Sequence, residues 1–197
     1  MRIQVTATLV AIAMTGLLLV ACGKPEAEAP TWQEIGIADV EEGARAQIGK
    51  ADAAREALIH DMFELLGKVL TEEETPRLEI CGPEAEAVAK KVAADKAVKI
   101  GRTSFRLRNA KNVPPEWATT YVADRVEDEK YLRHADGRVA ALFPLRMQKS
   151  CVTCHGDLAE IDEDVKALIA QNYPDDKAVD FPYTGLRGYI WVEVPAP

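Results

Sequence analysis

"GLRGYIWVEVP", residues 185–195, holds three polar-tipped residues interleaved with three aliphatic ones. Tyr189, Trp191 and Glu193 alternate with Ile190, Val192 and Val194, the two-residue period of a strand with one face against a core. Such a strand needs partners, and the chain upstream offers them. "KYLRHADGRVAALFPL" (130–145) reads as a hairpin turning at Ala135, Asp136 and Gly137. "AVKIGRTSFRLRN" (97–109) mixes alternation with β-branched residues and reads as strand, bend, strand. Further upstream the period changes. Residues 31–70 contain no proline, and Ala51, Leu58, Met62, Leu65, Leu66 and Val69 fall on one helical stripe. The expectation is one long amphipathic helix, with a kink near Gly43 or Gly49.

Shorter elements fill the intervals. Thr75-Pro76 has the form of an N-cap followed by proline at the first helical position. Gly82-Pro83 interrupts that helix, and an Ala-rich helix continues from Pro83 to Asp95. Residues 112–115 read as a loop, Pro115 opens a short helix over Glu116–Val126, and a last helix covers Ile161–Asn172 before Pro174. Helices lead, antiparallel strands follow, and a helix crosses between them, which is the order of an α+β fold.

The first thirty residues have a different character. Arg2 is the only charge before Lys24, and the apolar run between them ends in Leu19-Val20-Ala21-Cys22. That layout is an export signal, and its ending resembles a bacterial lipobox, with Cys22 as the lipidated residue. The competing reading is an uncleaved membrane anchor. The polar, proline-containing stretch that starts right after Cys22 favours the lipoprotein. The expected organisation is a signal peptide at 1–21, a tether at 22–34 and a domain at 35–197. Gly23 after the cysteine points to the outer membrane, with the domain in the periplasm. Without Arg2 the balance is 23 Lys+Arg against 32 Asp+Glu. So acidic a chain is a poor candidate for nucleic acid, and no nucleic-acid partner is expected.

"CVTCHG", 151–156, carries the chemistry. A zinc site would need about four ligands, and no second Cys or His pair is within reach. A redox dithiol needs no histidine after it. Cys-x-x-Cys-His is the attachment pattern of a c-type haem. Cys151 and Cys154 reach the two vinyl groups, and His155 coordinates iron from the same side. One motif implies one covalent haem c. Cysteine arithmetic then leaves Cys81 over, an odd thiol in an oxidising compartment. It is either a buried, inert side chain or the second axial ligand, for which Met62, Met147, His60 and His134 compete.

"LEICGPEA" (78–85), "KIGRTSFRLRNAKNVPPEW" (99–117), "CVTCHG" and "YPDDKAVDFPYTGLRGYIWVEVP" (173–195), in this order and spacing, resemble the Tll-type cyanobacterial haem protein family. These are single-haem c-type domains of unknown function with a PAS-like fold. The resemblance implies an antiparallel sheet flanked by helices, with haem held against the N-terminal helical region. It also implies His/Cys axial ligation, mapped onto His155 and Cys81. Arg102, Arg106, Arg108 and Asn109 match the family's block, and arginine forks pair well with carboxylates such as haem propionates. Arg102 and Arg106 are the candidates for that role. Alternation puts Arg106 and Arg108 on one strand face, where solvated surface charge is the competing reading. Asp180 stands where the family more often has glycine, so the chain departs from the pattern there.

The functional expectation is a membrane-tethered haem protein acting as a redox or small-ligand sensor through a signalling partner. The alternative is a periplasmic electron carrier, whose acidic surface suits a basic redox partner. A haem enzyme ranks last, because no distal His/Arg pair is evident.

Overall fold

The structure is a computed structural model describing residues 32–71 and 84–197. In chain order its elements are β1 (Trp32–Glu34), α1 (Glu42–Thr71), α2 (Ala85–Lys96), β2 (Lys99–Thr103), α3 (Thr119–Ala123), β3 (Lys130–His134), β4 (Val139–Arg146), α4 (Lys149–His155), α5 (Glu163–Asn172) and β5 (Leu186–Val194). At its centre the five strands form one sheet in the order β1-β3-β4-β5-β2, with every neighbouring pair antiparallel. This is an α+β, PAS-like architecture. Among the described residues no helix is long and apolar enough to cross a membrane.

The alternation in β5 does what its period demands. Ile190, Val192 and Val194 join Val139, Ala141 and Phe143 of β4 on one face, where Ala44, Ile48, Ala51, Ala54 and Leu58 of α1 cover them. Three alanines on that stripe let the helix approach the sheet closely. Tyr189 and Trp191 face the other way, onto Ala118, Val122, Trp117 and Tyr121. The β3–β4 hairpin turns at residues 135–137, where Gly137 has φ +89° and donates its N–H to the His134 carbonyl at 2.9 Å. α2 closes with Ala97 in the left-handed region, at φ +48°.

Three local expectations need correction. Residues 32–34, expected as tether and as the front of the long helix, form an edge strand on β3. Helix α1 begins only at Glu42 and then runs unbroken past Gly43 and Gly49. The second strand expected beyond Thr103 is absent. Ser104 Oγ donates to the Arg187 carbonyl at 2.7 Å and accepts the Arg106 N–H at 3.1 Å. The chain therefore turns at Ser104, and Arg106 and Arg108 share no strand face. The helix start at Thr75-Pro76 lies outside the described residues.

The β4–β5 pairing carries one irregularity. Leu145 pairs with Gly188 but Arg146 pairs with Leu186, so Arg187 is an additional residue in β5. A bulge of this kind re-aims the side chain it inserts. Gly188 makes it feasible, since a Cβ there would collide with the Thr103 carbonyl oxygen.

Candidate cofactor site

Past Leu58, α1 overhangs the end of the sheet, and a cavity of about 460 Å³ opens beneath it. Its walls come from the second half of α1, the end of β2 and the turn after it, the β4 and β5 bulge, and α4. The volume suits a cofactor, for which roughly 300–1,000 Å³ is usual. The α1 wall is apolar, with Leu58, Ile59, Met62, Phe63, Leu65 and Leu66. Four of the six stripe residues picked from periodicity (Leu58, Met62, Leu65 and Leu66) are thus a roof as much as a core.

α4 carries the CxxCH motif along the opposite wall. Cys151 and Cys154 are three apart on a helix, so they share a face, and both line the cavity. Cys154 and Tyr173 also pack on α5, through the cluster of Ile161, Val165 and Ile169. Among the described residues no three His, Cys, Asp or Glu side chains converge closely enough to hold a bare metal ion. The two thiols and His155 stand instead along a wall.

His155 follows in the same wall. Its Nδ1 lies 2.7 Å from the Ala178 carbonyl oxygen. A carbonyl only accepts, so Nδ1 carries the proton and Nε2 keeps the lone pair. Burial first, then the Arg187 and Arg108 charges, holds this imidazole neutral, well below the usual histidine range. The segment that supplies Ala178 is stitched to the end of α4 by backbone bonds from Asp180 to Gly156 (2.7 Å) and from Phe181 to His155 (3.0 Å). Phe181 meets the imidazole edge-on at 6.5 Å. A histidine with Nδ1 anchored and Nε2 free is the form that ligates iron.

Asp180, where the resemblance implied glycine, sits at φ +58°. That is the left-handed region, which glycine enters freely and aspartate tolerates better than most residues. Its carboxylate accepts the Leu158 N–H at 2.9 Å, a bond glycine could not make.

The arginines divide unexpectedly. Arg102 lines the cavity. Arg106 does not: its guanidinium donates to the carbonyls of Val179 (2.8 Å) and Asp180 (3.2 Å) and lies 4.0 Å over the Phe181 ring. It braces the loop behind His155. Arg108 and Arg187 line the cavity with Arg102. Arg108 Nη2 donates to the Cys154 carbonyl (2.6 Å), Asp176 Oδ2 (3.1 Å) and the Ala178 carbonyl (3.2 Å). Arg187 bonds Ser104 Oγ at 3.0 Å and lies 4.7 Å over Phe181. Desolvation, then Arg108 and Arg102, pushes it down to about 10. Its legible signal was the Arg-Gly pair inside a strand, since an isolated strand glycine marks a bulge.

Of the rivals for the second axial position, Met62 alone lines the cavity. His60 is exposed on α1. Met147 is buried against Ala178 and Phe181, off the cavity. His134 pairs with Asp136 at 2.7 Å and packs at a tilt against Trp32. Cys81 and Cys22 lie outside the described residues.

No curated protein matched the chain. The crystal structure of the cyanobacterial heme-protein Tll0287 shares the fold, with a TM-score of 0.56 at 24% identity, over 76% of this chain and 95% of that one. A family model described as Tll0287-like, Tll0287, matches residues 33–195, and the chain belongs to that Tll0287-like family.

Proposed function

We propose that the chain binds one haem c, tethered through Cys151 and Cys154, with His155 as an axial ligand. The observation that carries this reading is the tautomer of His155 in a wall it shares with both cysteines. The structural neighbour is named a heme-protein, which supports the same class. The cavity also fits on its own terms. Its roof is hydrocarbon, as a porphyrin face requires. Its floor holds arginine nitrogens, two of them on Arg108 buried without a partner, as carboxylate side arms require. A haem held by these residues would supply one-electron redox chemistry and an iron centre able to take a small ligand.

The chain's own residues then have distinct tasks. Ala178 fixes the imidazole through Nδ1, the α1 wall excludes water, and the arginines meet negative charge. Cys81 is the proposed second ligand, with Met62 as the donor that takes its place if Cys81 does not. An exchangeable second ligand suits a redox or small-ligand sensor better than a carrier. Within the described residues no histidine besides His155 lines the cavity, which favours binding over acid–base catalysis. Lipidation at Cys22 would put this sensor in the periplasm on the outer membrane, reporting to a protein partner.

The test is the protein made with a c-haem maturation system. One haem should resist acid-acetone extraction, and Cys151→Ala with Cys154→Ala should release it. Haem that stays covalent in the double variant refutes the attachment. Cys81→Ser should keep the haem but lose a thiolate low-spin EPR signature, and CO should bind the reduced protein by displacing a ligand. If Met62→Leu shifts the ferric spectrum and Cys81→Ser does not, the ligation is His/Met and the protein is an electron carrier.

A further inference from the structure

Among the described residues, four arginines and no aspartate or glutamate line the cavity, in a chain whose formal net charge is -8. Arg146 is answered at the surface by Glu127, 2.8 Å away. Deeper in, Arg108 pairs with Asp176 at 3.1 Å. Among the described residues no carboxylate forms an ion pair with Arg187. Even with Arg102 left out of the count, Arg108 and Arg187 set two guanidinium charges against one carboxylate at the cavity floor. Surplus charge removed from water is costly unless an anion compensates it.

The hydrogen bonds point the same way. All of Arg108's bonds run through Nη2, while Nε and Nη1 are buried with no partner. Buried donors in native proteins are almost always satisfied, so an unsatisfied pair at a cavity calls for a ligand. The β5 bulge gives a second, independent sign. Strict alternation would have turned Arg187 toward Tyr189 and Trp191. The extra residue brings it to the cavity instead, beside Gly188 and Ile190.

We infer that Arg102, Arg108 and Arg187 form a receptor for a pair of carboxylates, and that Arg106, the arginine closest to them in sequence, is a structural brace outside it. On the proposed haem reading, on which this rests, the pair is the two propionates. Arg108 then has a second role, as a positioning residue for the iron ligand. Its Nη2 and the His155 Nδ1 share the Ala178 carbonyl as acceptor. A cationic donor on that oxygen weakens the imidazole's own bond to it and makes the histidine a poorer electron donor.

The experiment uses the full chain carrying covalent haem, with Arg108→Gln, Arg187→Gln and Arg106→Gln compared with wild type. Resonance Raman reads the propionate bending band, and spectroelectrochemistry reads the reduction potential. Arg108→Gln and Arg187→Gln should each shift the band and lower the potential. Arg106→Gln should leave the band in place. A band unmoved in both cavity variants, or moved only by Arg106→Gln, overturns the proposal.

A second measurement separates this from the attachment chemistry. The full chain with Cys151→Ala and Cys154→Ala is titrated with hemin and with hemin dimethyl ester. The receptor predicts about tenfold or more preference for the free diacid, since each site holds a charge-assisted bond that the ester loses. Equal affinity for the two refutes it, even where the wild type carries covalent haem. A preference for the diacid upholds it, even where covalent attachment fails.

Discussion

Asp176→Asn tests the electrostatics of the cavity floor most directly. Arg108 and Asp176 lie 3.1 Å apart, with both side chains only 7% exposed. At an effective dielectric near 20 their attraction is roughly 5 kcal/mol. Desolvation of both groups offsets much of that, so the pair contributes little net. Removing one partner is another matter, because Arg108 stays buried with its charge unanswered, a loss of about 3–5 kcal/mol. The substitution is clean. Asp176 Oδ1 accepts the Ala178 N–H at 2.9 Å, and an asparagine carbonyl can keep that bond.

Urea unfolding of the Cys151→Ala, Cys154→Ala background gives the free energy without a bound cofactor. Adding Arg108→Gln to Asp176→Asn should recover part of the loss, since the orphaned charge goes with it. In covalent haem protein the loss should shrink, because carboxylates in the cavity answer Arg108 instead. A loss under about 1 kcal/mol in the cofactor-free background, or strict additivity in the double variant, refutes the reasoning.

Gly101 faces Trp191 across β2 and β5, and a Cβ there would lie 2.5 Å from the indole Cζ2. Gly101→Val should therefore displace the ring, cost about 1–3 kcal/mol and change tryptophan fluorescence; an unchanged melt and spectrum would contradict the packing. Cys22→Ala should abolish incorporation of labelled fatty acid, and unchanged labelling would favour an uncleaved anchor. Burial raises the Asp52 carboxyl above its usual range, against the pull of Arg55. A raised acid pKa in the folded state means ionisation disfavours folding, so Asp52→Asn should melt higher than wild type at neutral pH. The gap should close as pH falls through the raised value and vanish below the unfolded one, near 3.8. A gap that widens in acid has the sign wrong.

Legibility tracked the range of the forces involved. The β5 alternation and the 135–137 turn are local signals, so they survive without tertiary context. β1 has only three residues, too few to show a period, and exists because β3 offers it an edge. The strand expected over 104–109 has the composition of one. Ser104 overrides it by bonding across to Arg187, a partner 83 residues away that no local pattern can announce. The same limit governed the site. Cys151, Cys154 and His155 stand out in sequence because a c-type attachment motif has a fixed spacing, and the structure places all three along the cavity. Arg106 and Arg108 look equivalent in sequence and part company only at the turn. Arg187 reaches the cavity through a register shift that depends on β4.

The position of β1 has a mechanical consequence. It forms one margin of the sheet, while β2, which delivers Arg102, forms the other. Four interstrand steps separate them, about 19 Å at the usual spacing. Whatever precedes Trp32 thus joins the domain at the margin remote from Arg102. A pull arriving there loads the β1–β3 hydrogen bonds first, and the strands between absorb it. The β1–β3 bonds thus stand between the front end of the chain and α1, whose second half walls the cavity.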